Sequence, residues 1–188
     1  MTALLDQELT IENGWLVGRG VQTIKTHPSW YSGLMIGGPK AIVAHYSATG
    51  PGTSIAMANR RTKQRVAADR AASWHLSIDS TGDAPIVQMA QFKARCWHAG
   101  GPGSKPIPVI GKANMWATGI ELIGHGDVFD PIQVVHAARV WRAIVRTYRI
   151  PQNLAMIEHS KLSPHDRRDP GVVWMTKHSP FVLAHAFR

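Results

Sequence analysis

Between His159 and Gly171 the chain reads His-Ser-Lys-Leu-Ser-Pro-His-Asp-Arg-Arg-Asp-Pro-Gly, crowding metal-ligand side chains, two arginines and turn formers into one short segment. Such a segment reads as one wall of a metal site, and it constrains the fold. Imidazole and carboxylate suit zinc, and a zinc that does chemistry takes three protein groups and leaves a fourth position for water. Two ligands from this wall leave a third to arrive from elsewhere in the chain. His45 is the best supplier, because Ala41-Ile42-Val43-Ala44 is an apolar run ending in the polar cluster His45 to Thr49, the pattern of a buried strand delivering its last side chain to a site. The fold must then bring a strand near residue 45 against a loop beyond residue 159, and the chemistry implied is hydrolytic.

The remaining periodicity predicts an α/β domain. Residues 10–40 are rich in Gly, Pro and Trp and read as an irregular lead-in, so the first forty residues are expected to pack on a catalytic domain spanning 41–188. Helix formers and basic side chains over Thr53–Arg70 predict an exposed helix. Trp74 to Asp79 alternates in period two, Ser80-Thr81-Gly82-Asp83 supplies a turn, and Ile86-Val87-Gln88-Met89 resumes, which is a hairpin signature. Thr118 to Gly124 reads as a second site strand with Glu121 in its middle, where an ionised carboxylate is costly without a cation or donors nearby. A helix is expected from about Pro131 to Arg149, with Val134, Ala137, Trp141, Ile144, Val145 and Tyr148 inward and Arg139, Arg142 and Arg146 outward. Asn153 to Glu158 predicts a short strand, and Pro180 to Phe187 a closing helix.

The chain has 188 residues, enough for one domain with a core that needs no staples, and its single cysteine, Cys96, cannot make an internal disulfide. Cys96 has no orienting partner in view and reads as buried filler rather than a nucleophile. Twenty-one Lys and Arg against twelve Asp and Glu leave a net charge of +9, which favours an anionic partner such as nucleic acid, a membrane surface or an acidic wall polymer. No nucleic-acid reader motif is present, which disfavours the first. No stretch approaches the roughly 20 apolar residues of a membrane helix, and Met1 to Glu12 lacks the basic start and apolar stretch of a signal peptide. The expectation is a cytoplasmically made protein, acting as a monomer, that reaches any external substrate by release.

His45 after its strand, Trp97-His98-Ala99-Gly100, Thr118-Gly119-Ile120-Glu121-Leu122 and the His159–Gly171 segment, in that order, resemble the zinc-dependent N-acetylmuramoyl-L-alanine amidases of the type 2 amidase and peptidoglycan-recognition-protein superfamily. The resemblance spans about Ala41 to Trp174, and Asn13-Gly14-Trp15-Leu16-Val17 is similar to the opening of cytosolic amidases that recycle anhydro-muropeptides. It implies a mixed sheet flanked by helices with Zn²⁺ in a groove on one face. It also implies His45, His159 and Asp169 as metal ligands, Glu121 as proton shuttle, and Trp97, His98 and His75 at the groove. Where relatives carry a lysine two residues before the last ligand this chain has Arg167, whose high pKa suits electrostatic stabilisation but not proton donation. Trp74 stands where short phage amidases have a catalytic tyrosine, so proton transfer rests more heavily on Glu121. His165 and Asp166 are the second choices as ligands, turned outward by Pro164.

The resemblance implies cleavage of the bond between N-acetylmuramic acid and L-alanine, by a single-domain phage-type endolysin whose basic surface is drawn to the anionic envelope. A cytosolic anhydro-muropeptide amidase is the alternative within the enzyme class. A non-catalytic peptidoglycan-binding protein is the alternative outside it, disfavoured because all three ligand positions hold competent residues.

Overall fold

Alternation along two apolar runs, Ala41-Ile42-Val43-Ala44-His45-Tyr46 and Ala117-Thr118-Gly119-Ile120-Glu121-Leu122, decides the architecture, since successive side chains of a strand face opposite ways. The computed structural model describes residues 2–64, 72–100, 103–124 and 128–188. Helix α1 (Thr2–Leu5) comes first, then β1 (Thr10–Glu12), β2 (Trp15–Val17), β3 (Val21–Thr23) and β4 (Tyr31–Leu34). Strand β5 (Ala41–Tyr46), helix α2 (Ser54–Arg60), β6 (Leu76–Ile78), β7 (Ile86–Gln88) and β8 (Ala94–Cys96) follow. Helix α3 (Ala113–Trp116), β9 (Ala117–Leu122), α4 (Pro131–Tyr148), β10 (Ile157–Glu158), α5 (His159–Leu162) and α6 (Ser179–Ala186) complete the order.

Six strands form the central sheet in the order β10-β5-β9-β6-β7-β3. All neighbours run parallel except the hairpin β6–β7, so the sheet is mixed, as expected for a single α/β domain. Ile42 and Ala44 of β5, Leu76 and Ile78 of β6, and Ile120 and Leu122 of β9 point to one face and pack on Val134, Ala137, Trp141 and Ile144 of α4 and on Val182 of α6. Trp141 is fully buried and its indole N–H donates to the Ala155 carbonyl at 2.6 Å, satisfying the one polar atom that burial would otherwise penalise. Emptying such a site would cost about 3–5 kcal/mol. On the opposite face Ala41, Val43 and Ala117 make a smaller apolar floor with Ala99, Ile107, Ala113 and Leu162. The same parity continues on that face to His45, Gly119 and Glu121.

Helix α4 begins where its sequence says it should: Asp130 accepts a hydrogen bond from the Ile132 N–H at 2.8 Å, Pro131 takes the first turn, and Arg149 ends the helix in the left-handed region. The expected outward placement of Arg139 is corrected. Arg139 is 2% exposed and donates to the carbonyls of Gln7 at 2.9 Å and Arg19 at 3.1 Å, because the N-terminal segment lies across that side of the helix. Residues 10–40 are likewise more than a lead-in. They contain a hairpin, β1–β2, the strand β4 paired with β8, and β3, which closes one edge of the central sheet against β7. Among the described residues the helix expected over Thr53–Arg70 covers Ser54–Arg60, and residues 65–70 of that span lie outside the described part. Buried Asp79 anchors that helix, accepting from Gly52 N at 3.0 Å, Ser54 Oγ at 3.0 Å and Ser80 N at 2.8 Å.

Candidate metal centre and active site

Register brings the polar residues of the site face together. His45 of β5 lies directly opposite Glu121 of β9, which on its other side lies opposite Ser77 of β6. Strand β10 pairs Glu158 with Ala44, so His159, the next residue of each strand's continuation, emerges level with His45. The chain then turns through Ser163, where Asp166 N and Arg167 N both reach the Ser163 carbonyl, and returns so that Ser160 N donates to the Asp169 carbonyl at 2.9 Å. That return sets the Asp169 carboxylate beside the imidazole of His159.

The result is a near-equilateral triangle of donor atoms. His45 Nδ1 and His159 Nδ1 are 3.0 Å apart, and Asp169 Oδ2 is 3.2 Å from the first and 3.1 Å from the second. A tetrahedral metal about 2.0–2.1 Å from each of three such atoms would hold them roughly 3.3 Å apart, so both spacing and chemistry suit a zinc-sized cation. All three residues are buried. Burial holds the pKa of His45 below its ordinary 6.5, only partly offset by the Asp169 hydrogen bond, which keeps the imidazole neutral and able to ligate. Burial alone would raise Asp169, but the neighbouring imidazoles of His159 and His45 take its carboxyl well below the ordinary carboxylate range.

Residues 37–172 match the model of the N-acetylmuramoyl-L-alanine amidase family. The chain belongs to that family. It is an N-acetylmuramoyl-L-alanine amidase, and several solved structures share its fold. It is similar to an AmpD structure at 25% identity, with 87% of this chain and 93% of that chain covered and a TM-score of 0.68. A mutant endolysin from Bacillus subtilis is 20% identical over 88% of this chain and 97% of its own, with a TM-score of 0.64. AmpDh3 from Pseudomonas aeruginosa, solved with anhydromuramic pentapeptide, is 20% identical over 79% of this chain and 60% of its own, with a TM-score of 0.59. No curated protein matches the amidase in sequence.

A cleft of about 220 Å³ opens over the triangle of the amidase, lined by Trp97, His98, Ser104, His159, Asp166 and Arg167 among others. It shares Trp97 and Ser104 with a more apolar cleft of about 510 Å³ that adds Lys105, Pro106, Lys112 and Met115. Arg167 is exposed at the rim, as are His165 and Asp166, which take no part in the triangle. The ring of His75, expected at the groove, is instead fully buried. Its Nδ1 accepts from Gly119 N at 2.9 Å and its Nε2 donates to the Ala94 carbonyl at 2.7 Å, so no polar atom of the ring is open to a substrate. Burial takes its pKa down to about 4, against the opposing pull of those two backbone hydrogen bonds. Cys96 is buried and its thiol pushed up to about 12, chiefly by desolvation, so it is no nucleophile.

One charged residue of the amidase site escaped sequence reasoning. Arg61 reads as part of a solvated basic face, yet its guanidinium lies 4.0 Å over the ring of Trp74 and 5.3 Å from that of Trp30. It donates to the carbonyls of Met57 at 2.8 Å and Ala72 at 3.0 Å, and its charge reaches Glu121. The flanking tryptophans are the only hint, and they stand 31 residues before and 13 after it in the chain.

Glu121 is 8% exposed. Burial, reinforced by the Asp169 charge and opposed by Arg61 and Arg167, pushes its carboxyl from an ordinary 4.5 up to about 8. The folded chain therefore keeps up to about pH 8 a proton that the unfolded chain releases near 4.5. The metal-free amidase is expected to lose stability as pH rises through that window, on the order of 5 kcal/mol from this group. Buried histidines such as His75 titrate in the opposite sense, so the comparison that isolates Glu121 is with Glu121→Gln, which has no such proton. Denaturant unfolding of the chelated proteins at pH 5 and pH 8.5 should show the variant gaining on wild type at the higher pH; parallel profiles would place the carboxyl in water.

Proposed function

We propose that this amidase holds zinc between His45, His159 and Asp169 and uses it to hydrolyse the amide joining the lactyl group of N-acetylmuramic acid to L-alanine. The observation that carries the reading is the buried triangle of two imidazole nitrogens and one carboxylate oxygen at 3.0–3.2 Å. Zinc bound there supplies a Lewis acid that polarises the scissile carbonyl and makes an attacking water more acidic.

The chain's own groups do the rest. Glu121, opposite His45 in the sheet and buried beside the triangle, is placed to take a proton from the attacking water and to return it to the leaving amine. Arg167 at the rim supplies fixed positive charge toward the oxyanion that develops on the carbonyl. Trp97 offers a flat wall against which the sugar or lactyl portion packs. Arg167→Ala should then lower kcat by about 10²–10³-fold, the usual cost of removing one oxyanion donor. Arg167→Lys should recover most of that loss; a lysine variant as impaired as alanine, measured by stem-peptide release, would show that the guanidinium fork rather than charge is required.

We read the natural substrate as polymeric peptidoglycan and the protein as a phage-type endolysin, because a net charge of +9 favours an anionic envelope. No helix among the described residues is long and apolar enough to cross a membrane, so in that role a permeabilising partner would release the enzyme. The likeness to AmpDh3, solved with anhydromuramic pentapeptide, favours a second reading in which a soluble muropeptide is the substrate. Digestion of purified sacculi and of soluble anhydro-muropeptide, each with and without chelator, separates these. Free stem peptides beginning at L-alanine, lost on chelation, are the expected product by mass analysis. Chelator-resistant release would remove the metal, and cleavage of the soluble substrate alone would remove the endolysin role.

A further inference from the structure

His98 stands in the sequence as a groove residue and lines the cleft, yet the residue is only 5% exposed and its ring reaches the metal triangle through His45. Its Nε2 lies 2.9 Å from the Ala117 carbonyl oxygen and its Nδ1 lies 3.1 Å from His45 Nε2. A carbonyl only accepts, so Nε2 of His98 must carry a proton. In the neutral ring Nδ1 is then a bare acceptor. Among the described residues the donor aimed at it is His45 Nε2, which must be protonated in its turn, leaving the lone pair of His45 Nδ1 directed into the triangle.

The alternative tautomer is a real competitor, because Asp169 Oδ2 sits 3.2 Å from His45 Nδ1 and would draw the proton to that side. If it did, His45 Nε2 and His98 Nδ1 would face each other as two buried lone pairs, and Nδ1 could not ligate. We propose that His98 is a positioning residue that fixes the tautomer of His45, relaying the Ala117 carbonyl through two imidazoles to the metal-facing nitrogen. The inference rests on the reading of His45 as a zinc ligand.

The surroundings of His98 are built to hold that ring still. Asn114 Oδ1 accepts from His98 N at 3.0 Å and Ala99 N at 2.7 Å, pinning the backbone on which the ring is mounted. The ring then lies flat against β9 at Gly119, where an added Cβ would collide with its Cγ, Nδ1 and Cβ. Glycine at this strand position is therefore a matter of space, not of backbone conformation. Outer partners of metal-bound histidines generally orient the ligand and contribute about 10–100-fold to metal affinity; here the outer partner is another imidazole rather than a carboxylate.

The test uses ring-nitrogen NMR of the ¹⁵N-histidine protein, metal-free and after zinc addition, with zinc affinity measured by chelator competition. Wild type should show His45 protonated at Nε2 and His98 protonated at Nε2 in both states. His98→Leu should lose the His45 preference and bind zinc about 10–100-fold more weakly. His98→Asn places an amide oxygen where Nδ1 was and should recover most of the affinity. A wild-type spectrum with the His45 proton on Nδ1 would overturn the proposal, as would undiminished zinc affinity in His98→Leu. Zinc that fails to bind wild type would sink the metal reading instead, and the metal-free spectrum would still decide the tautomer.

Discussion

Glu121→Gln is expected to abolish turnover while leaving the fold and the metal content unchanged. Glutamine is nearly the same shape as glutamate, so the pairing of β9 with β5 and β6 at that position should survive. What it lacks is an oxygen able to take and return a proton. General acid–base groups contribute about 10²–10⁴-fold to rate, and with no tyrosine at position 74 to share the task the loss should fall toward the upper end, in kcat rather than KM. Stem-peptide release followed by chromatography, alongside elemental analysis for zinc, gives both readouts. Turnover within threefold of wild type in a zinc-replete variant would take the proton-transfer role away from Glu121.

His45→Ala should show the largest effect on stability. It deletes one corner of the triangle and strips His98 Nδ1 of its hydrogen-bond partner. A metal present at about a thousand times its dissociation constant stabilises the folded state by roughly 4 kcal/mol. In a domain of this size that corresponds to about 8–16 °C in Tm. Wild type should therefore melt markedly higher with zinc than with chelator, whereas His45→Ala should melt low in both and carry less than one zinc per chain. A variant that keeps stoichiometric zinc would move the metal elsewhere.

The features that sequence displayed well are those that burial writes into a period. Strands β5 and β9, the β6–β7 hairpin and the inward stripe of α4 each follow a repeat of two or 3.6 residues, and each formed where that repeat placed it. His45, His159 and Asp169 were legible because their residue types are uncommon in such settings and because the ordered motifs resemble a known family. Arg139 and Arg61 were not legible, nor were the inward contacts of His98, which the resemblance places only at the groove, for one shared reason. Each is buried by partners remote in the chain: carbonyls of Gln7 and Arg19, the rings of Trp30 and Trp74, and the carbonyl of Ala117 with the ring of His45. A binary pattern sees a charged or polar letter and assigns it to water. Strand β3, only three residues long and with Gln22 and Thr23 polar, is too short to show any period at all.

The position of β3 bears on where the catalytic unit can safely be cut. The span that matches the family begins at residue 37, whereas the sheet itself begins at Val21. A protein trimmed to the matched span would leave the outer backbone groups of β7 without their ladder partner, a raw edge of the kind that recruits strands from other molecules. Self-association of such a fragment would then report on a missing neighbour rather than on any appetite of the amidase for its own kind.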